Sequence, residues 1–170
     1  MSFTIIAALD AAGGIGKGGT IPWHLKWDLE HFRDVTTRAW VPGKQNVVIM
    51  GRTTWASLPE RFRPLPERLN VVLSRQPLEL PHGVLLASGL EVALEQAKGA
   101  AGKTFVIGGG SVYAQAIQLP SCTELYLTRI EGDFGCDIRF PELPSRFKLA
   151  EALAPLDENG VRYHFERYEA

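Results

Sequence analysis

The segment Phe-Thr-Ile-Ile-Ala-Ala-Leu at positions 3–9 is almost wholly apolar and does not alternate. A strand with one wet face alternates apolar and polar residues. A run that does not alternate is covered on both faces, as in a parallel sheet layered between helices. A second run of this kind spans 46–50, and further strands are expected at 69–74, 83–87, 104–107 and 124–130. Helical stretches are expected between them at 25–38, 52–58, 90–98 and 111–118. This alternation predicts an α/β fold with a mainly parallel sheet. Residues 147–153 and 161–168 read as a hairpin around Asp157-Glu158-Asn159-Gly160, which adds antiparallel edge strands. No repeat or linker divides the chain, so residues 1–170 read as a single domain with room for a sizeable core.

Composition narrows the function classes. With 18 Lys and Arg against 19 Asp and Glu, net charge is −1, and no global field favours nucleic acid or a membrane surface. The aromatic residues have no basic stripe beside them, which argues against a nucleic-acid platform. Cys122 and Cys136 form no CxxC, no Cys/His cluster has metal-ligand spacing, and no metal is expected. Two lone cysteines fit a reducing compartment, so the cytoplasm is the expected location. The apolar start is short, lacks a basic lead and meets Asp10, so it reads as a buried strand rather than a signal segment. No stretch is long enough to span a bilayer.

One acid stands in an apolar place. Leu25, Asp28, Leu29, Phe32 and Val35 follow the i, i+3, i+4, i+7 spacing of one helix face. A carboxylate on such a stripe needs a partner, because unpaired charge away from water is costly. A protonated ring with adjacent N–H donors would serve. Equally, an acid in the first helical turn can simply complement the helix dipole.

A glycine-rich loop and three strand ends carry the remaining signal. Gly14-Ile15-Gly16-Lys17-Gly18-Gly19 matches the dinucleotide fingerprint in letters only. Pro22 disfavours the helix that the fingerprint must open, and no acid-ended second strand follows. A P-loop is excluded because Gly18 follows Lys17 where Ser or Thr is required. Five glycines within residues 13–19 read instead as a mobile lid beside Asp28. Gly108, Gly109 and Gly110 lie between an expected strand and helix, where backbone can approach a phosphate closely. Gly51, Arg52, Thr53 and Thr54 repeat that form after another strand, and Ser74 and Arg75 end a third. If these strands are parallel neighbours, all three junctions share one carboxyl edge, where ligands of open α/β sheets bind. Two Arg residues there favour a dinucleotide with an extra phosphate, NADP rather than NAD.

Several pieces in this order resemble dihydrofolate reductase: Ile15-Gly16, Ile21-Pro22-Trp23-x-Leu25-x-x-Asp28-Leu29-x-x-Phe32, Val48-Ile49-Met50-Gly51-Arg52-x-Thr54-Trp55, Arg63-Pro64-Leu65-Pro66-x-Arg68-x-Asn70-Val71-Val72-Leu73-Ser74, Val106-Ile107-Gly108-Gly109-Gly110-x-Val112-Tyr113 and Tyr126-Leu127-Thr128. The resemblance implies a mostly parallel eight-stranded sheet with an antiparallel C-terminal edge, flanked by four helices. It implies reduction of 7,8-dihydrofolate to tetrahydrofolate with NADPH, a one-carbon metabolism step and an antifolate target, by a monomer. On it, Asp28 would bind the pteridine, Thr128 would hydrogen-bond Asp28, and Trp23 would anchor a bridging water. A burial-raised pKa would suit Asp28 for assisting substrate protonation. Ile6, Leu29, Phe32, Leu58, Ile107 and Tyr113 would line the substrate cleft, and Arg68 would pair with the glutamate α-carboxylate. Ala8, Ile15 and Gly16 would meet the nicotinamide. Gly51, Thr54, Gly108, Gly109, Gly110, Ser111, Val112 and Tyr113 would hold the cofactor's phosphates and neighbouring groups. Arg52, Thr53, Ser74 and Arg75 would surround the 2′-phosphate. The Gly108-Gly109 bond is expected to be cis.

The chain departs from the pattern at Lys26, where many bacterial members have Pro, and at Trp27, bulkier than the small residue of some members. Residues 38–45 are a few longer than in short bacterial forms, and Cys136 stands where Gly is frequent. Two alternatives are a same-fold pyrimidine reductase of riboflavin synthesis and a non-catalytic NADP-binding homologue. The Trp23…Asp28 spacing and Arg68 argue against the first. Joint retention of Asp28, Thr128, Arg68 and both glycine junctions argues against the second.

Overall fold

The computed structural model describes residues 1–170, Ala101 by its backbone alone. The non-alternating segment forms β1 (Phe3–Leu9), buried almost throughout. Chain order continues β2 (Gly14–Gly16), α1 (Lys26–Thr37), β3 (Gln45–Gly51), α2 (Arg52–Ser57), β4 (Arg68–Leu73), β5 (Leu85–Ala87), α3 (Leu90–Ala97), β6 (Ala101–Val106), α4 (Gly110–Ala116) and β7 (Cys122–Ile130). It ends with β8 (Ile138–Arg139), β9 (Lys148–Ala152), β10 (Leu156–Glu158) and β11 (Val161–Glu169). A single turn of 3-10 helix, Glu60–Phe62, lies before β4.

The main sheet runs β10-β11-β7-β1-β6-β3-β4-β5, with β9 also pairing β11. Strands β7, β1, β6, β3, β4 and β5 are parallel, and β11 runs antiparallel to β7. The path holds the eight strands expected, and β9 joins as a ninth because β11 is long. Its start pairs with β10 and its end with β9, so two short strands share one edge position. The predicted pairing of the last two strands is present, but the tight turn belongs to β10. Asn159 and Gly160 both take positive φ between the paired Glu158 and Val161, as a two-residue hairpin requires.

Period two divides the sheet's faces. Ile5, Ala7, Val47, Ile49, Val71 and Val106 pack with Leu90, Ala93, Val112 and Ala116, which puts α3 and α4 on one face. Ile6, Val48, Met50, Val72 and Phe105 pack with Val35 and Trp55, which puts α1 and α2 on the other. Trp23, Leu25, Ile130 and Tyr163 form a smaller cluster under the start of α1.

The glycine-rich segment after β1 is more structured than a soft loop. β2 pairs antiparallel with β8 as a separate two-stranded flap. Its root is Asp10, only 3% exposed. One carboxylate oxygen accepts the N–H groups of Ala12 and Gly14 at 3.0 and 2.8 Å. The other accepts Phe134 N–H at 2.9 Å and faces the Cys136 thiol at 3.6 Å. Burial alone would raise the Asp10 pKa, but the bonds from Phe134, Gly14 and Ala12 outweigh it and hold the carboxyl below its ordinary value. A depressed pKa contributes stability that is present above the ordinary carboxylate range and lost as pH falls through the folded value. Asp10→Asn is expected to cost about 1–3 kcal/mol near neutral pH in urea unfolding, with the gap narrowing on acidification. A gap that stays constant or widens in acid contradicts this role.

Candidate active site

The first turn of helix α1 brings the lone acid to β7. Residue Leu25 stands at its N-cap and provides no side-chain cap, and Asp28 lies in the first turn. The Thr128 hydroxyl, from β7, donates to Asp28 Oδ1 at 2.7 Å. Burial raises the Asp28 pKa to about 6, the Thr128 bond works against that, and the nearby charge of Glu158 adds to it. The carboxyl is therefore poised to exchange a proton near neutrality, which suits a general acid or base.

The cleft beside Asp28 lies on the α1/α2 face. Ile6 is buried in that layer, with Phe32, Leu58 and Ile107 partly buried against it. Residue Leu29 is 54% exposed on α1, an apolar side chain with no partner layer over it. Trp23 is buried and meets Phe134 edge-on at 5.3 Å between ring centroids, which ties the approach to α1 to the loop after β7. Ala8 lies alongside the Trp23 cluster.

Arg68 is a cation placed out of water, only 8% exposed. Its Nε donates to Pro66 O at 2.8 Å and one terminal nitrogen donates to Thr36 Oγ1 at 3.0 Å. The guanidinium also sits 6.0 Å from the Phe32 ring centroid. Among the described residues no carboxylate comes within ion-pair distance of it. A buried fork with two nitrogens held and no internal counter-ion is built for an anionic ligand. Its support was not anticipated. Asn46 on β3 donates to the Thr36 and Arg38 carbonyls at 2.9 Å each and so fixes the end of α1 that carries Thr36. Asn70 on β4 holds both backbone groups of Leu65 at 2.9 Å, closing the turn that leads into Arg68. An Asn inside an apolar strand was the readable signal for both.

The three junctions meet as the parallel strands demand. β6, β3 and β4 are adjacent, and their carboxyl ends carry Gly108, Gly51 and Ser74. Gly51 N–H donates to Gly108 O at 2.8 Å, and the Gly108-Gly109 bond is cis. The Arg63-Pro64 bond, which sequence reading did not single out, is also cis. Glycine is required at this crossing. Gly108 has φ +131, and a Cβ there would meet Thr54 Oγ1 at 3.3 Å and Tyr113 Oη at 3.4 Å. A Cβ on Gly110 would reach Ile138 of the flap at 2.7 Å. Backbone thus lies bare at the start of α4 beside a Thr hydroxyl, a cradle that suits a phosphate. Arg52 is exposed at the start of α2 and donates to Gln76 Oε1 at 3.0 Å. Thr53 and Arg75 are exposed, and Ser74 Oγ closes a turn onto Gln76 O. Ser111 is exposed at the head of α4. Ile15 and Gly16 lie on the flap strand β2.

Two expected ligand contacts serve as scaffold through their side chains. Val112 is buried and is what a Cβ on Gly51 would touch, at 3.2 Å. Tyr113 is buried with its hydroxyl donating to Ile6 O at 2.8 Å, and burial pushes its pKa up. It braces β1 beneath the cleft.

The raised Asp28 pKa has a consequence for stability. The folded state disfavours the ionised acid, so the penalty grows as pH climbs from the ordinary 3.8 through about 6 and is constant above. Asp28→Asn is expected to stabilise the protein by about 1–3 kcal/mol at about pH 8 and by little below about pH 4. Equal stabilities at about pH 8 would show that the acid is not strained there.

The sequence model of the family described as dihydrofolate reductase matches residues 2–170. The chain is 42% identical to the dihydrofolate reductase of Bos taurus over 177 residues, covering 96% of this chain and 95% of that one. It is 39% identical to the Drosophila melanogaster dihydrofolate reductase over 178 residues, covering 99% and 98%. Among solved structures, the Schistosoma mansoni dihydrofolate reductase superposes with a TM-score of 0.88 at 34% identity, covering 99% of this chain and 98% of that one. With the whole length and the fold in agreement, the chain belongs to the dihydrofolate reductase family of oxidoreductases.

Proposed function

We propose that Asp28, Thr128, Arg68 and the glycine-bearing junctions are the machinery with which this chain reduces 7,8-dihydrofolate to tetrahydrofolate using NADPH. The observation that carries the reading is the Asp28–Thr128 pair at the start of α1 beside an apolar layer, with a buried Arg68 that has no carboxylate partner among the described residues held by Thr36 at the other end of the helix. The two charges match the two ends of a folate, a basic aminopteridine and an acidic glutamate tail.

Asp28 binds the N–H edge of the pteridine and, poised near neutrality, favours protonation of the substrate at N5. Thr128 holds the carboxyl in place, and Trp23 anchors the water beside it. Ile6, Leu29, Phe32, Leu58 and Ile107 exclude water from the rings, and Arg68 orients the tail by its α-carboxylate. NADPH, when bound, supplies the hydride. The bare cradle at Gly51 and Gly108 through Gly110, with the Thr54 hydroxyl, fits its pyrophosphate. Arg52, Thr53, Ser74 and Arg75 read the 2′-phosphate. Ala8, Ile15 and Gly16 present backbone to the nicotinamide, and the flap shields it from solvent. Within this reading the protein is a cytoplasmic monomer of one-carbon metabolism and an antifolate target. No helix is long and apolar enough to cross a membrane.

Asp28→Asn should lower dihydrofolate-dependent NADPH oxidation by about 100-fold or more near neutral pH, and less at about pH 5, where solvent protonates the substrate. Equal loss at every pH contradicts a proton role. Arg68→Leu should weaken folate binding by about 2–4 kcal/mol and leave NADPH affinity within about twofold, measured by fluorescence quenching. Parallel loss of both affinities contradicts the carboxylate assignment.

A further inference from the structure

The first turn of α1 is held from outside the helix. Leu25 cannot cap it, yet the Glu158 carboxylate, 132 residues away in sequence, accepts Lys26 N–H at 2.5 Å and Trp27 N–H at 3.2 Å. Glu158 sits at the end of β10, immediately before the tight Asn159-Gly160 turn. The hydroxyl of Tyr163, the fully buried residue of β11, donates to the same carboxylate at 2.8 Å. Burial would raise the Glu158 pKa, but the Lys26, Tyr163 and Trp27 donors outweigh it, and His24 lies near enough to add to their effect. Glu158 is therefore an anion bonded to the two residues that precede Asp28.

We infer that Glu158 is a positioning residue for Asp28: from the β10–β11 hairpin it fixes the first turn of α1 against Thr128 and holds its own carboxylate at the residues next to the acid. The inference rests on the reading of Asp28 as the proton-holding group. Few other groups compete for this role. From β7 the neighbour is the Thr128 hydroxyl, and from β11 the buried Tyr163, whose phenol stays protonated. On α1 itself, His31 stacks on Phe165 at 3.9 Å, and burial and Arg38 favour its neutral form. Trp23 and Leu25, before α1, are apolar. Glu158 is thus the one full negative charge acting on Asp28 from a packed element among the described residues.

Glu158→Gln removes the charge and keeps an acceptor for the helix. Glu158→Asp keeps the charge. The Asp28 carboxyl is followed by carbon-13 NMR titration in the free protein, and the pH profile of dihydrofolate-dependent NADPH oxidation is recorded alongside. The Asp28 midpoint is expected to fall by about half a unit or more in Glu158→Gln and to stay within about 0.2 units of wild type in Glu158→Asp. The alkaline limb of the rate profile is expected to move with it, while rates at about pH 5.5 stay within about twofold. An unchanged Asp28 midpoint in a Glu158→Gln protein that melts cooperatively overturns the inference. A midpoint that falls while the rate profile stays fixed upholds the Glu158–Asp28 coupling and counts instead against the proton role of Asp28.

Discussion

Everything around the cleft is arranged so that one carboxyl can stay in apolar surroundings. Asp28 reaches Thr128 across the gap between α1 and β7, and that contact works only if the helix start is placed to within a few tenths of an ångström. The placement comes from three directions. Trp23 and Leu25 pack beneath the first turn, Glu158, itself held by the Tyr163 hydroxyl, accepts its free N–H groups, and Asn46 ties the helix's far end to β3. Remove the helix's anchors and the acid either finds water or loses its hydroxyl. Water would return its proton affinity toward that of an ordinary side chain, whereas loss of the hydroxyl would raise it further.

The same helix links the two ends of the cleft. Thr36, one residue from its C-terminal end, holds a guanidinium nitrogen of Arg68, while Asp28, in its first turn, holds Thr128. About two turns of helix therefore set the spacing between an acid and an unpaired buried cation. On the proposed reading, that spacing measures a substrate with a hydrogen-bond donor edge at one end and a carboxylate at the other. The glycine junctions are built differently, from backbone where parallel strands end, and on the proposed reading that suits phosphates, which N–H groups and helix starts recognise.

Much of this was legible in the chain. The absence of alternation at residues 3–9 identified a doubly covered strand, and helical spacing put Asp28 on an apolar stripe. The strand–glycine–helix junctions followed from their flanks. What stayed hidden was long-range. Nothing local says that Glu158 caps a helix 132 residues away, or that Asp10 roots a flap by bonding to both its strand and the loop at Phe134. The β2–β8 pair is short and glycine-rich, so it carries no strand propensity of its own and exists through its partners. Val112 and Tyr113 fall in a stretch expected to bind a ligand, yet their side chains are committed to packing, and motif membership could not separate backbone from side-chain roles.

The central claim is that burial among apolar residues, against the pull of the Thr128 hydroxyl, keeps the Asp28 carboxyl protonated up to about pH 6. Carbon-13 titration of the Asp28 side chain in the wild-type protein tests it most directly. A midpoint near 6 is the predicted result. A midpoint at the ordinary value of 3.8 would mean that the acid is solvated and merely complements its helix.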